Sequence, residues 1–203
     1  MCANRKKHRL ERIPVMIYMF LAPGFEEVEA LCPLDLLRRA GLSVTTVGVG
    51  SKTPTGSHGI TVTADITEEE FAALGDRTPE MVILPGGMPG TTNLDASLIV
   101  RNAIMDAHSC GAFLAAICAA PSILGKMHLL EGKEAICFPG FEDALLGAKV
   151  SDDSVVRDGT VITAKGMGVA LPFGLMLVSC FKGKAFASRL KRSVMATSTR
   201  KKA

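Results

Sequence analysis

The chain has 203 residues, of which 48% are hydrophobic, 21% charged and 5% aromatic, with no tryptophan. A chain of that length and apolar content buries a full core, so disorder is excluded as a description of the whole. The formal charge of +3 is uneven: residues 1–12 and 189–203 hold 11 of the 23 lysines and arginines and one of the 20 acids, so the body between them is acidic. Nucleic-acid binding by the folded domain is therefore not expected, because a phosphate-binding surface needs clustered cations on the fold itself.

Residues 5–12 are basic and 15–22 apolar, the outline of a signal peptide. The run is too short to span a bilayer, which takes about 20 apolar residues, and its removal would take the first core strand with it. The expectation is a cytoplasmic protein with no membrane span, with organellar targeting left open. Short apolar runs follow in chain order at 15–21, 44–49, 60–62, 81–84, 112–117, 134–138 and 161–164. Segments of helical period alternate with them at 26–40, 68–74, 97–109, 119–126, 170–181 and 183–195; Pro33 should kink the first. That alternation predicts an α/β fold: a doubly wound, mostly parallel sheet with helices on both faces. Asp158-Gly159, between two alternating runs in 151–165, adds a small β-hairpin. No repeat or linker divides the chain, so residues 13–190 read as one domain, with 1–12 and 191–203 as basic flexible tails.

The six cysteines form no C-x-x-C pair and no His/Cys cluster of zinc spacing, so neither a metal site nor a disulfide framework is expected. Most read as buried small hydrophobes in a reducing compartment. One differs by its setting. In AAICAAP, residues 115–121, an apolar strand runs directly into Cys118, and small residues lead on to a helix that can carry Pro121 in its first turn. So abrupt a strand-to-helix turn has the form of a nucleophile elbow, and donors at a helix start favour thiolate over thiol. The alternative is one more packed cysteine.

Ligands of such sheets sit beyond the carboxyl ends of the strands. Two further breaks lie at that edge. In LPGGMPG, residues 84–90, Gly86 and Gly87 let the backbone approach a ligand and turn amides inward, although Gly-Gly is also an ordinary turn. In APGFEEVEA, residues 22–30, three glutamates enter the first helix; Glu26 and Glu27 read as exposed, and Glu29 is placed to face inward.

These motifs, with LCPLDLLRRAG at 31–41 and TAKGMG at 163–168, resemble the ThiJ/PfpI superfamily in its DJ-one-like branch, over about residues 13–190. The resemblance implies a flavodoxin-like sandwich, usually a homodimer, with no metal or organic cofactor. It makes Cys118 the reactive cysteine, Glu29 the buried carboxyl bonded to its sulfur, and the amides of Gly87 and Ala119, beside Gly86, the donors that hold an anion. A protonated Glu29 donating to a thiolate is the stable form of such a pair. The implied substrates are small reactive aldehydes or glycated protein side chains. The activity would be that of a glutathione-independent glyoxalase converting methylglyoxal to lactate, or of a protein deglycase, in oxidative and carbonyl stress. A redox sensor or redox-regulated chaperone, acting through oxidation of Cys118 without turnover, is the alternative.

The match departs from the family in places. Related peptidases carry histidine directly after the cysteine, where Ala119 stands, and no histidine here has triad spacing, so peptidase activity is disfavoured. A thiazole monophosphate biosynthesis role, attached to some chains of this kind, has no supporting residue. Phe138 precedes Pro139 where some members have histidine, which leaves Glu29 as the only evident proton carrier. Lys165 and Met167 replace Arg and Pro around Gly166, softening the pocket wall. Arg39 and His58 fall near positions that relatives use at the dimer interface.

Overall fold

The computed structural model describes residues 16–75 and 79–196. The predicted N-terminal tail, and most of the predicted C-terminal one, lie outside them. Seven strands form the main sheet: β1 (Ile17–Leu21), β2 (Val44–Gly48), β3 (Ile66–Thr67), β4 (Met81–Leu84), β5 (Phe113–Ile117), β8 (Val155–Asp158) and β9 (Val161–Ala164). Their order is β3-β2-β1-β4-β5-β9-β8, parallel throughout except for the antiparallel β8–β9 hairpin. β1 and β4 are buried along their whole length and β5 along all but its first residue, which is why their sequences run apolar without alternating.

Helices cover both faces. α1 (Glu27–Arg39) packs on α6 (Ala170–Lys182), and α6 on α7 (Lys184–Ser193), over a core centred on Met19, Ile83, Ile117 and Phe173. α2 (Glu68–Ala72), α3 (Gly90–Ala96), α4 (Leu98–Ser109) and α5 (Pro121–Lys126) lie toward the second core, around Phe20, Val82, Leu114 and Ile123. The architecture is the expected α/β sandwich. No described helix is long and apolar enough to cross a membrane.

Several expectations fail locally. Residues 60–62 form no sheet strand: Thr61 makes an isolated bridge to Thr55, and the Gly56 amide donates to Ile60 O at 2.9 Å, so the segment closes into a loop. The edge of the sheet is β3 instead. Within 134–138 only β6 (Glu134–Ala135) is strand, and it pairs with β7 (Lys149–Val150) in a separate two-stranded sheet. α3 was not expected. Residues 191–193, expected in a C-terminal tail, belong to α7, which continues to Ser193 and buries Ala187 and Leu190 against the first core. Cys110 is disulfide-bonded, against the expectation of no disulfide, while the other four described cysteines are free.

Candidate active site

Three loops at the carboxyl ends of β1, β4 and β5 converge. β5 delivers Cys118, whose amide still donates to Ala164 O on β9 at 2.9 Å, and the chain then turns sharply. Cys118 has φ +64°, the left-handed region, at a cost of about 1–2 kcal/mol for a residue with a Cβ. Its carbonyl accepts from the Phe138 amide at 2.8 Å, and buried Ala119 and Ala120 carry the chain to Pro121 at the start of α5. The small residues of AAICAAP thus serve a crowded, strained turn.

β4 delivers Gly86 and Gly87. The Gly86 amide donates to Glu29 Oε2 at 3.0 Å and its carbonyl accepts from the Glu26 amide at 2.9 Å, which ties the β4 loop to the start of α1. Gly87 has φ +90°, and a Cβ there would lie 2.4 Å from Glu26 N. Only glycine fits. The amides of Gly87 and Ala119 both hydrogen-bond the Cys118 sulfur.

β1 leads into α1, whose N-cap Glu26 accepts from the Glu29 amide through Oε2 at 2.6 Å. Glu29, 1% exposed, meets the Cys118 side chain and accepts from the Gly86 and Met167 amides. Burial pushes its carboxyl up to about 7, and the Glu26 charge adds to that, against the opposing bonds from Cys118, Gly86 and Met167. Burial and an ionised Glu29 push the Cys118 thiol up to about 12, while the Gly87 and Ala119 amides pull it down. Burial, which the sequence alone does not display, raises both groups, and groups this close titrate as a coupled pair. Once Glu29 holds the proton it ceases to repel the sulfur and becomes a donor to it, and the two amides then favour the thiolate.

Phe138 and Met167 are 47% and 53% exposed and form an apolar rim. At Gly166 a Cβ would lie 3.3 Å from the Phe138 ring and 3.9 Å from Glu29 Oε1, so a larger residue there would crowd both. Pro139 is exposed beside them. Arg39, at the far end of α1, is exposed and paired with Asp35, about 20 Å along the helix from the first turn. His58 lies at the opposite end of α1, so one protomer does not bring the two together.

Glu27, expected on the surface, is buried and accepts from the His58 and Ile60 amides and from the His58 ring. The turn residues of Gly56-Ser57-His58-Gly59 were the available signal, since a turn there exposes amides that need an acceptor. Glu26, Glu27 and His58 bring three metal-type ligand atoms within 4.8 Å of one another. Both Glu27 oxygens are already engaged, so the cluster reads as a hydrogen-bond and ion-pair set. A cavity of about 620 Å³ lies elsewhere, between Pro23, Val49, Glu68, Ser97 and Leu98. Its Ser97 hydroxyl donates to Glu68 Oε2 at 2.8 Å and accepts from the Val100 amide as the N-cap of α4, a structural engagement, so chemistry rather than volume marks the Cys118 site.

Comparison with known proteins gives one answer. The model of the DJ-1/PfpI family matches residues 15–180. Protein dj-1beta of Drosophila melanogaster is 33% identical over 182 residues, covering 87% of this chain and 95% of the relative. The glutathione-independent glyoxalase DJR-1.2 of Caenorhabditis elegans is 29% identical over 78% of this chain and 83% of its own length. Oxidized DJ-1 of Toxoplasma gondii superposes with a TM-score of 0.84 at 28% identity, covering 89% of this chain and 98% of that one.

Proposed function

Because the chain belongs to the DJ-1/PfpI family, we propose that it is a cofactor-independent enzyme of small α-oxoaldehydes, a glyoxalase that converts methylglyoxal to lactate. The observation that carries this reading is a buried carboxyl touching a nucleophile on a strained turn, with two amides aimed at the sulfur. The similarity to a glutathione-independent glyoxalase supports it.

The Cys118 thiolate adds to the aldehyde carbon, and the proton on Glu29 passes to the resulting alkoxide, giving a hemithioacetal. Glu29, now a carboxylate, takes the proton from that carbon and returns it to the adjacent carbon, while the hydroxyl proton passes to the former ketone oxygen, so the ketone is reduced as the aldehyde carbon is oxidised to a thioester. Water hydrolyses the thioester and releases the 2-hydroxy acid with Cys118 free. No external oxidant or reductant enters. A proton affinity near neutrality suits Glu29 to both directions of transfer. The exposed rim of Phe138 and Met167 offers the methyl group of the substrate an apolar contact. Protein deglycation would use the same adduct, formed on a glycated side chain, and a homodimer is the expected assembly.

Incubation of the pure protein with methylglyoxal tests the reading. Aldehyde loss with formation of lactate, absent in Cys118→Ala, is expected, and equal loss in both proteins would refute it. The half-exposed sulfur also favours a second reading, a redox sensor, in which the same donors hold a Cys118 sulfinate. Intact mass after mild peroxide tests that one. Cys118 should be among the first residues to gain two oxygens.

A further inference from the structure

The loop at 55–60 takes no part in the chemistry above, yet it is fastened to the helix that carries Glu29. Glu27 Oε1 accepts from the His58 and Ile60 amides at 2.8 and 3.3 Å, and Glu27 Oε2 lies 2.9 Å from His58 Nδ1. Glu26 Oε1 is 4.0 Å from that same ring nitrogen, and Glu26 Oε2 accepts from the Glu29 amide at 2.6 Å. His58, Glu26 and Glu29 therefore form a line of ionisable groups running from the surface to the buried pair.

The geometry points to His58 as a positioning residue for the Glu29–Cys118 proton: its imidazolium offsets the Glu26 and Glu27 charges and so sets the pH at which the pair ionises. The inference rests on the role proposed above for that pair. The groups facing His58 are Glu26 and Glu27 from α1, with the neutral Ser57 Oγ at 3.2 Å from Nδ1. Those facing Glu29 are Cys118 from the β5 turn and Glu26 from its own helix. Nδ1–H donates to Glu27 in the charged ring and in one neutral tautomer, so the loop keeps its contact while the charge changes. The contact with Glu27 raises the proton affinity of His58 above its ordinary value. With the ring charged, less negative potential reaches Glu29 from Glu26, and the pair gives up its proton at lower pH. In the single protomer the His58 side chain is 70% exposed, so there the influence is moderate and screened by salt.

The test is the rate of Cys118 alkylation by iodoacetamide against pH, in the full chain and in His58→Gln and His58→Arg, at low salt and at about 1 M salt, where the Debye length falls to about 3 Å. A directly opposed charge at 4–6 Å moves a group by 1–3 units; one acting through Glu26 should move the midpoint by about half a unit. The glutamine variant should thus titrate about half a unit higher and react roughly three-fold slower on the rising limb. Arginine should bring the midpoint back to the wild-type value or below, and the difference between variants should collapse at high salt. Equal midpoints for glutamine and arginine, or a gap that survives high salt, would overturn the inference and leave the loop contact purely structural. Alkylation needs no turnover of aldehyde. A shifted midpoint in a protein inert toward methylglyoxal would sink the glyoxalase reading and leave this one standing.

Discussion

Gly86→Ala inserts one methyl group between the two halves of the proposed machinery. A Cβ at Gly86 would lie 2.5 Å from Cys118 Cβ, 2.6 Å from Glu29 Oε2 and 2.9 Å from Ile117 O. An ordinary contact needs about 3.5–4 Å, so each neighbour must retreat by about 1 Å. Neither has room to do so at no cost: Ile117 is core, and Cys118 is held at both amide and carbonyl. Overpacking of this kind costs about 1–3 kcal/mol of stability. Catalysis should suffer more, because a displacement of about 1 Å between reacting groups can cost about 10²-fold. The assay is kcat/KM for methylglyoxal beside a urea midpoint, with Gly168→Ala as control, since a Cβ at Gly168 meets nothing within 4 Å. The expected outcome is a folded protein with at least 50-fold lower activity. A Gly86→Ala protein with wild-type turnover would show that Cys118 and Glu29 need not touch, and the mechanism would fall.

Glu29→Gln should reduce aldehyde turnover by 10²–10⁴-fold, the usual worth of a general acid/base, while leaving iodoacetamide alkylation of Cys118 within about three-fold near pH 7. A ten-fold rise in alkylation would place the shared proton on sulfur in the wild type. The same variant tests linkage. A carboxyl whose proton affinity rises on folding from 4.5 to about 7 stabilises the fold fully below 4.5 and loses that contribution as pH climbs through 7. Between pH 5 and 8 the wild type should lose roughly 2–3 kcal/mol that Glu29→Gln keeps, and parallel stability profiles would refute the assignment. Glu27→Ala should cost about 1–3 kcal/mol through unpaired amides in the 55–60 loop, read as a lowered urea midpoint, and an unchanged midpoint would mean that water replaces the carboxylate.

What the sequence made legible follows a physical line. Strands such as β4 and β9, buried along their whole length, announce themselves as uninterrupted β-branched or aliphatic runs. Residues 60–62 carry the same composition in three letters, too few to separate a ladder from a loop, and the outcome was decided by an acceptor on α1 that no local pattern displays. α3 was missed because Gly-Thr-Thr-Asn has no apolar period, and its Asn93 side chain binds Pro23 O instead. The Cys118 turn was readable from its small neighbours and the glycine pair from its spacing. Glu29 was reached chiefly through resemblance, since its partners are a distant cysteine and two backbone amides. The Met167 amide, one of those two, has no signature in any residue type.

The two functional readings differ only in where one proton rests when a reagent arrives. With the proton on Glu29, the sulfur is an anion held by two amides and attacks either a carbonyl or a peroxide. An aldehyde then needs that proton back from Glu29 to become a hemithioacetal, and needs the resulting carboxylate to move the next one. A sulfinate needs Glu29 to keep it, as a donor to the new oxygens. Raising the carboxyl only to about 7 leaves both courses open. A site built for storage of the oxidised state alone would bury the carboxyl beyond any titration near neutrality, and one built for turnover alone would gain nothing from holding the oxidised sulfur. Glu29 stands between them, and the charges of Glu26, Glu27 and His58 at the start of α1 and its facing loop are what the chain has available to move it either way.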